Sequence, residues 1–91
     1  MKQLERIFKG LANRRRLAII RLLTQSKELP VAEIARRINL SFTSTSKHLL
    51  SLYHLDIVEK RQESLNMYYR LANPLPHAVK LVVSLISNSR E

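Results

Sequence analysis

The sequence predicts a mainly α-helical domain with one small β-hairpin, and three observations carry that reading. First, Val31, Ile34, Ala35 and Ile38 recur at i, i+3, i+4 and i+7, the spacing that puts one apolar stripe of a helix against a core. Second, a tight turn follows them, and then Thr45, Leu49 and Leu52 repeat the helical spacing. Third, after Leu55 the apolar period shifts from 3.6 towards 2, the period of a strand. Two helices across a turn followed by a hairpin describe a winged helix-turn-helix, with about five helices and a two-stranded wing. The chain reads as one domain over residues 1–91, with the helix-turn-helix at 31–54 and the wing at 57–71.

The elements follow in order. Met1, Leu4, Ile7, Phe8 and Leu11 form a short amphipathic helix, expected to break near Gly10. Asn13 is a favourable N-cap for a second helix reaching about Gln25, and the run of Leu17, Ala18, Ile19, Ile20, Leu22 and Leu23 makes that helix apolar almost all round, hence central. Pro30 suits the first position of the third helix, where its missing N–H has no partner to lose. Asn39 can enter the left-handed region cheaply and so turn the chain, and Ser41 caps the fourth helix. Strands are expected at Ile57 to Arg61 and Met67 to Leu71, joined by a loop from Gln62 to Asn66. Asn73 and Pro74 are expected to start a last helix, whose Leu75, Val79, Val82, Val83 and Ile86 form an apolar stripe.

A chain of 91 residues with 45% hydrophobic content supports a modest core, and a domain of this size gains from burial against a second copy. Terminal helices 1–11 and 74–89 are therefore the expected dimer surface, through Leu4, Ile7, Phe8, Leu75, Val79, Val82, Val83 and Ile86; the alternative is that they cover their own core. Sixteen Lys and Arg against seven Asp and Glu leave a formal charge of +9, which calls for a polyanionic partner such as nucleic acid. No stretch approaches the ~20 apolar residues of a membrane span, and the start lacks a signal-peptide apolar region, so a cytoplasmic location is expected. With no cysteine there is no disulfide, thiolate metal site or thiol switch within these residues.

On a helical wheel Thr43, Lys47, Leu50 and His54 lie opposite the core stripe of the fourth helix, with Ser44 and Ser51 flanking them. Short hydroxyls with a lysine and a histidine suit base edges and phosphates. His48 falls about 60° from the core centre, so it is either a reader of DNA or a histidine at the edge of the core that hydrogen-bonds its surroundings. Phe42 can touch a thymine methyl or cap the core. Consecutive Arg14, Arg15 and Arg16 fan out over different faces and make no single stripe; they are phosphate contacts or a solvated helix start.

Order and local strings together resemble the ArsR-type winged helix-turn-helix repressors over residues 7–72. The strings are Phe8-Lys9-Gly10-Leu11-Ala12-Asn13, Arg16-Leu17, Leu40-Ser41, Ser46-Lys47-His48-Leu49 and Tyr68-Tyr69-Arg70-Leu71. The resemblance implies a homodimeric repressor on a palindromic operator. It makes Ser41, Phe42, Thr43, Ser44, Ser46, Lys47 and His48 the DNA-reading segment, with Arg61 and Asn66 as wing contacts. The family's Cys-Val-Cys metal string is replaced by Pro30-Val31-Ala32, and the other metal site of such sensors is reduced to His77 with Glu91 at the far end. One imidazole cannot make a four-ligand site, so no metal or cofactor is expected, and any effector is an unidentified small molecule or protein. The family's wing-tip Gly-Arg is Ser64-Leu65 here, and Asp56 stands where a glycine commonly ends the recognition helix. Leu50 and Leu65 favour a second reading, an interaction module for a protein or RNA without sequence-specific DNA recognition; the charge and the polar helix favour DNA. Catalysis is not expected: the serines near His48 lack an acid partner, and one glycine in the chain leaves no phosphate loop.

Overall fold

The computed structural model describes residues 1–88; Ser89, at the end of the expected last helix, and Glu91 lie outside them. Helix α1 (Lys2–Leu11), α2 (Arg14–Gln25), strand β1 (Leu29–Pro30), α3 (Val31–Ile38), α4 (Phe42–His54), β2 (Val58–Glu63), β3 (Asn66–Leu71) and α5 (His77–Ser87) follow one another in the chain. The three strands form an antiparallel sheet in the order β1-β3-β2.

Helix α2 is the hub. It touches α1, α3, α4, α5 and β3, and its Ile19 and Ile20 are fully buried. Asn13 caps it, its side-chain oxygen accepting from the N–H groups of Arg15 (2.9 Å) and Arg16 (3.1 Å). Around α2 close Ile7 and Leu11 of α1, Ile34 of α3, Leu49 and Leu52 of α4, Ile57, Val58 and Tyr69 of the wing base, and Val79 of α5. Burial of this apolar surface is the main driving force for the fold.

Both helices of the helix-turn-helix end in the same way. At the end of α3, Asn39 takes a left-handed φ of 57° while Leu40 N–H donates to Ala35 O (3.0 Å) and Asn39 N–H to Arg36 O (3.2 Å). At the end of α4, Asp56 takes φ 61° while Ile57 N–H donates to Leu52 O (3.0 Å) and Asp56 N–H to Tyr53 O (3.0 Å). These paired bonds satisfy carbonyls that a helix end leaves open, and they turn the chain sharply.

Several boundaries differ from the sequence reading. Helix α1 runs through Gly10 without breaking, and a Cβ at that position would collide with Leu55, so the glycine serves close approach. Pro30 is the N-cap of α3 and pairs with Tyr68 as an edge strand that the sequence reading missed, a place where a missing N–H costs no ladder bond. The wing strands extend further than expected. Glu63 pairs with Asn66, leaving only Ser64 and Leu65 in the turn, with Ser64 at φ 58°. Helix α5 starts at His77, after a cis Asn73–Pro74 peptide, because Pro76 disfavours helical geometry at Leu75. Leu75 is thus outside the helix, yet it packs on the core with Val82, Val83 and Ile86.

Candidate nucleic-acid interface

Helix α4 is held by its inward face. Thr45, Leu49 and Leu52 are completely buried, which fixes the rotation of the helix and turns Phe42, Thr43, Lys47, Leu50, Tyr53 and His54 outward. Ser41 is exposed and caps the helix, its Oγ accepting from Ser44 N–H at 3.1 Å. Ser44 and Ser46 are half-buried on the flanks. Lys47 makes no ion pair among the described residues, so its ammonium is available to an external anion.

His48 is half-buried and bonded to α2. Arg16 Nε donates to its Nδ1 at 3.1 Å, and Arg16 Nη1 donates to Gly10 O at 3.3 Å. An imidazole that accepts at Nδ1 is neutral, and burial, then the charges of Arg16 and Arg15, hold its pKa below the usual histidine value. Of the two roles open to His48, reader of DNA or hydrogen-bonded histidine at the edge of the core, this bond fits the second and ties α4 to the start of α2.

The wing is more tethered than its charge suggests. Arg61 donates to Glu28 (Nη2 to Oε1, 2.7 Å; Nε to Oε2, 3.2 Å) and to Glu63 (2.5 Å), with its guanidinium 4.8 Å from the Tyr68 ring centroid. The Glu28 carboxyl is pushed below its ordinary range by that bond and Arg61 is pushed up. Arg70 pairs with Glu59 at 3.0 Å. By contrast the Lys60 ammonium sits 4.4 Å from the centroid of Tyr53, joining β2 to the outer face of α4. Sequence reasoning missed Tyr53, which lies on the wheel between the core and outer faces and is identified only by this contact. Asn66 is exposed beside the turn.

The arginine run divides in a way that consecutive spacing does not reveal. Arg16 turns inward to His48, whereas Arg14 and Arg15 join Arg21 and Arg37 around a groove of about 360 Å³ floored by Ala18, Leu22 and Ile38. Arg37 shares Glu33 with Arg36, at 2.7 and 2.5 Å, and the pair drives the Glu33 carboxyl down to about 2.

The expected dimer residues also divide. Ile7 (4% exposed) and Val79 (0%) are buried within the chain and cannot meet a second copy, a correction to the sequence reading. Leu4 and Phe8 are open on α1, and on α5 the exposed large apolar side chains are Leu81 (65%) and Leu85 (73%), which lie outside the stripe. Their angular position places them outside the i, i+4, i+7 pattern because that pattern marks the side facing α2. Among the described residues no group of three His, Asp or Glu side chains gathers, and no helix is long and apolar enough to cross a membrane.

Fold and surface together define a winged helix-turn-helix domain. The profile of the IclR helix-turn-helix domain matches residues 14–62. The transcriptional activator HlyU of Vibrio cholerae is 34% identical over 80 residues, covering 88% of this chain and 70% of that protein. The transcriptional regulator Rv0324 of Mycobacterium tuberculosis is 40% identical over 72 residues, 79% of this chain. Among solved structures, reduced HlyU superposes with a TM-score of 0.79 at 32% identity, covering 93% of this chain and 85% of that one. The homodimeric winged helix-turn-helix domain of Mb0332 from Mycobacterium bovis, described as a possible ArsR-family regulator, gives 0.78 at 36%, covering 93% and 75%. The chain belongs to the ArsR-type winged helix-turn-helix transcriptional regulators. It spans 31% of the length of Rv0324 and 56% of the cadmium resistance regulator CadC of Listeria innocua.

Proposed function

We propose that this chain is a sequence-specific DNA-binding repressor that works as a homodimer, each protomer laying α4 in a major groove of a palindromic operator. The observation that carries the reading is the outward face of α4, where Thr43 and an unpaired Lys47 stand on a helix whose rotation the core fixes. Thr43 and Ser44 read base edges, Phe42 and Leu50 meet thymine methyls, and Lys47 contacts phosphate. Ser41 caps the helix start, Ser46 flanks the reading face, His48 acts by holding α4 on α2, and Asn66 with Arg61 lies on the wing that flanks the groove. The groove arginines Arg14 and Arg15 extend the basic surface beyond the recognition helix.

Exposed apolar side chains supply the case for a dimer. Leu4 and Phe8 on α1 and Leu81 and Leu85 on α5 belong to two helices that pack on each other, and apolar surface of that kind seeks cover. Mb0332, described as homodimeric, is similar over 93% of this chain. A dimer sitting on promoter DNA excludes polymerase, which is repression by occupancy, and places the protein in the cytoplasm with the chromosome. These residues offer no thiolate to a soft metal, so release of DNA is left to a small molecule or protein effector.

Selection from a random duplex library with the full chain tests the reading. Enrichment of a palindrome with half-sites about one helical turn, roughly 34 Å, apart supports it. Absence of any enriched motif, with binding that follows salt alone, contradicts it and favours the interaction module suggested by Leu50 (40% exposed) and Leu65 (98%).

A further inference from the structure

Leu65 is 98% exposed at the tip of the wing and serves neither the core nor the turn. A two-residue hairpin connection favours Asn-Gly, Asp-Gly or a glycine at its first position. Here Ser64 takes the left-handed φ of 58° at that position without a glycine, and the large apolar residue follows it. Nothing in hairpin geometry asks for leucine there, and a single wing arm carries it out into solvent.

The arm is stiff and runs beside α4. Six register pairs from Val58↔Leu71 to Glu63↔Asn66 run without interruption to the tip, and the Lys60–Tyr53 contact at 4.4 Å fixes the arm beside α4. From Lys60 to Glu63 the strand runs three residues, about 10 Å at ~3.4 Å per residue, and the turn carries Leu65 beyond its end. Charge does not oppose an approach to DNA. Glu63, the acidic residue next to the turn, is held by Arg61 at 2.5 Å, and Gln62, Ser64 and Asn66 offer neutral hydrogen-bonding groups around the leucine.

We infer that Leu65 is an apolar wedge that enters the minor groove flanking the α4 site and partly unstacks a base step, bending the operator. Leucine inserted between base pairs opens the minor groove and kinks the duplex towards the major groove. Flexible pyrimidine–purine steps yield at least cost, so the wedge adds a preference for TA or CA/TG at the flanks of the operator without any hydrogen bond to a base. This rests on the DNA-binding reading above.

The test uses the full chain and the duplex enriched by selection, with 2-aminopurine at the flanking step and a donor–acceptor dye pair at the ends. Anisotropy reports binding in the same sample. The wild-type chain is expected to raise 2-aminopurine fluorescence and shorten the end-to-end distance. Leu65→Ala is expected to bind with at most about tenfold weaker affinity and to lose both signals, while Leu65→Met keeps them. Binding by the wild type with no fluorescence rise and no bend, or an equal rise with Leu65→Ala, overturns the wedge and leaves the α4 reading standing. Absence of binding by every variant overturns both.

Discussion

Arg16 at the start of α2 donates from Nε to Nδ1 of His48 in the middle of α4, across 3.1 Å, while its Nη1 reaches the last turn of α1 at Gly10. One guanidinium thereby joins three helices at the base of the recognition helix. The bond requires a neutral imidazole, since protonation would turn the acceptor into a donor facing a cation.

A pH dependence follows from that arrangement. Folding holds His48 below its ordinary value of 6.5, so between the two values the unfolded chain binds more protons and stability rises with pH. Its contribution is complete above about pH 6.5 and declines as pH falls towards the lower folded value. Urea midpoints measured from about pH 7.5 to about pH 5 are expected to fall, and Arg16→Met with His48→Leu is expected to flatten that fall. An equal slope in the double variant would assign the effect elsewhere.

Thr45 is the one polar side chain in the core of α4, fully buried, with no hydrogen-bond partner for its Oγ1 among the described residues. An unsatisfied buried hydroxyl costs about 1–3 kcal/mol, and valine has nearly the same shape. Thr45→Val is expected to raise stability by about 1 kcal/mol, read as a higher thermal midpoint. A loss would show that the hydroxyl has a partner in solution.

On the outward face, Lys47→Ala is expected to weaken binding to every duplex by a similar factor and lower the salt slope by about one. Thr43→Ala is expected to change the order of preference among duplexes by about 1–3 kcal/mol at one base position. Equal loss on all sequences for Thr43→Ala would remove it from base reading.

Glu28 and Glu63 hold Arg61 away from an external phosphate. Glu28→Gln is expected to release the guanidinium, tightening binding to scrambled DNA more than to the operator and steepening its salt dependence. Unchanged binding would mean that Arg61 never reaches the backbone.

For the dimer, Phe8→Asp with Leu85→Asp is expected to give folded monomers by sedimentation, since Phe8 is 50% exposed and Leu85 73%. Val79→Asp is expected instead to unfold the chain by placing an unpaired charge in its core. A dimer that survives the first pair would move the interface away from α1 and α5.

Much of this was legible in the sequence because the deciding signals are local. The cap at Asn13, the left-handed Asn39, the cap at Ser41 and the apolar rhythm of α3 and α4 each depend on residues within one or two turns. What escaped depends on residues far apart. The bridge of Leu29–Pro30 to Tyr69 and Tyr68 is too short to have a period, and the Arg16–His48 and Arg61–Glu28 bonds span more than thirty positions. Leu81 and Leu85 were passed over because an apolar stripe reveals which side of a helix seeks burial, not which other apolar residues are left facing out.

Sequence reading by α4 is the property on which the rest of the mechanism depends. Fluorescence anisotropy with the duplex enriched by selection against a scrambled duplex of equal length, each titrated from low to physiological salt, decides it. A preference of ~10³-fold or more that persists at physiological salt, and that Thr43→Ala redistributes among sequences, is the predicted result. Equal binding to both duplexes, falling together with salt, would contradict it and reduce the interaction to the charge of the chain.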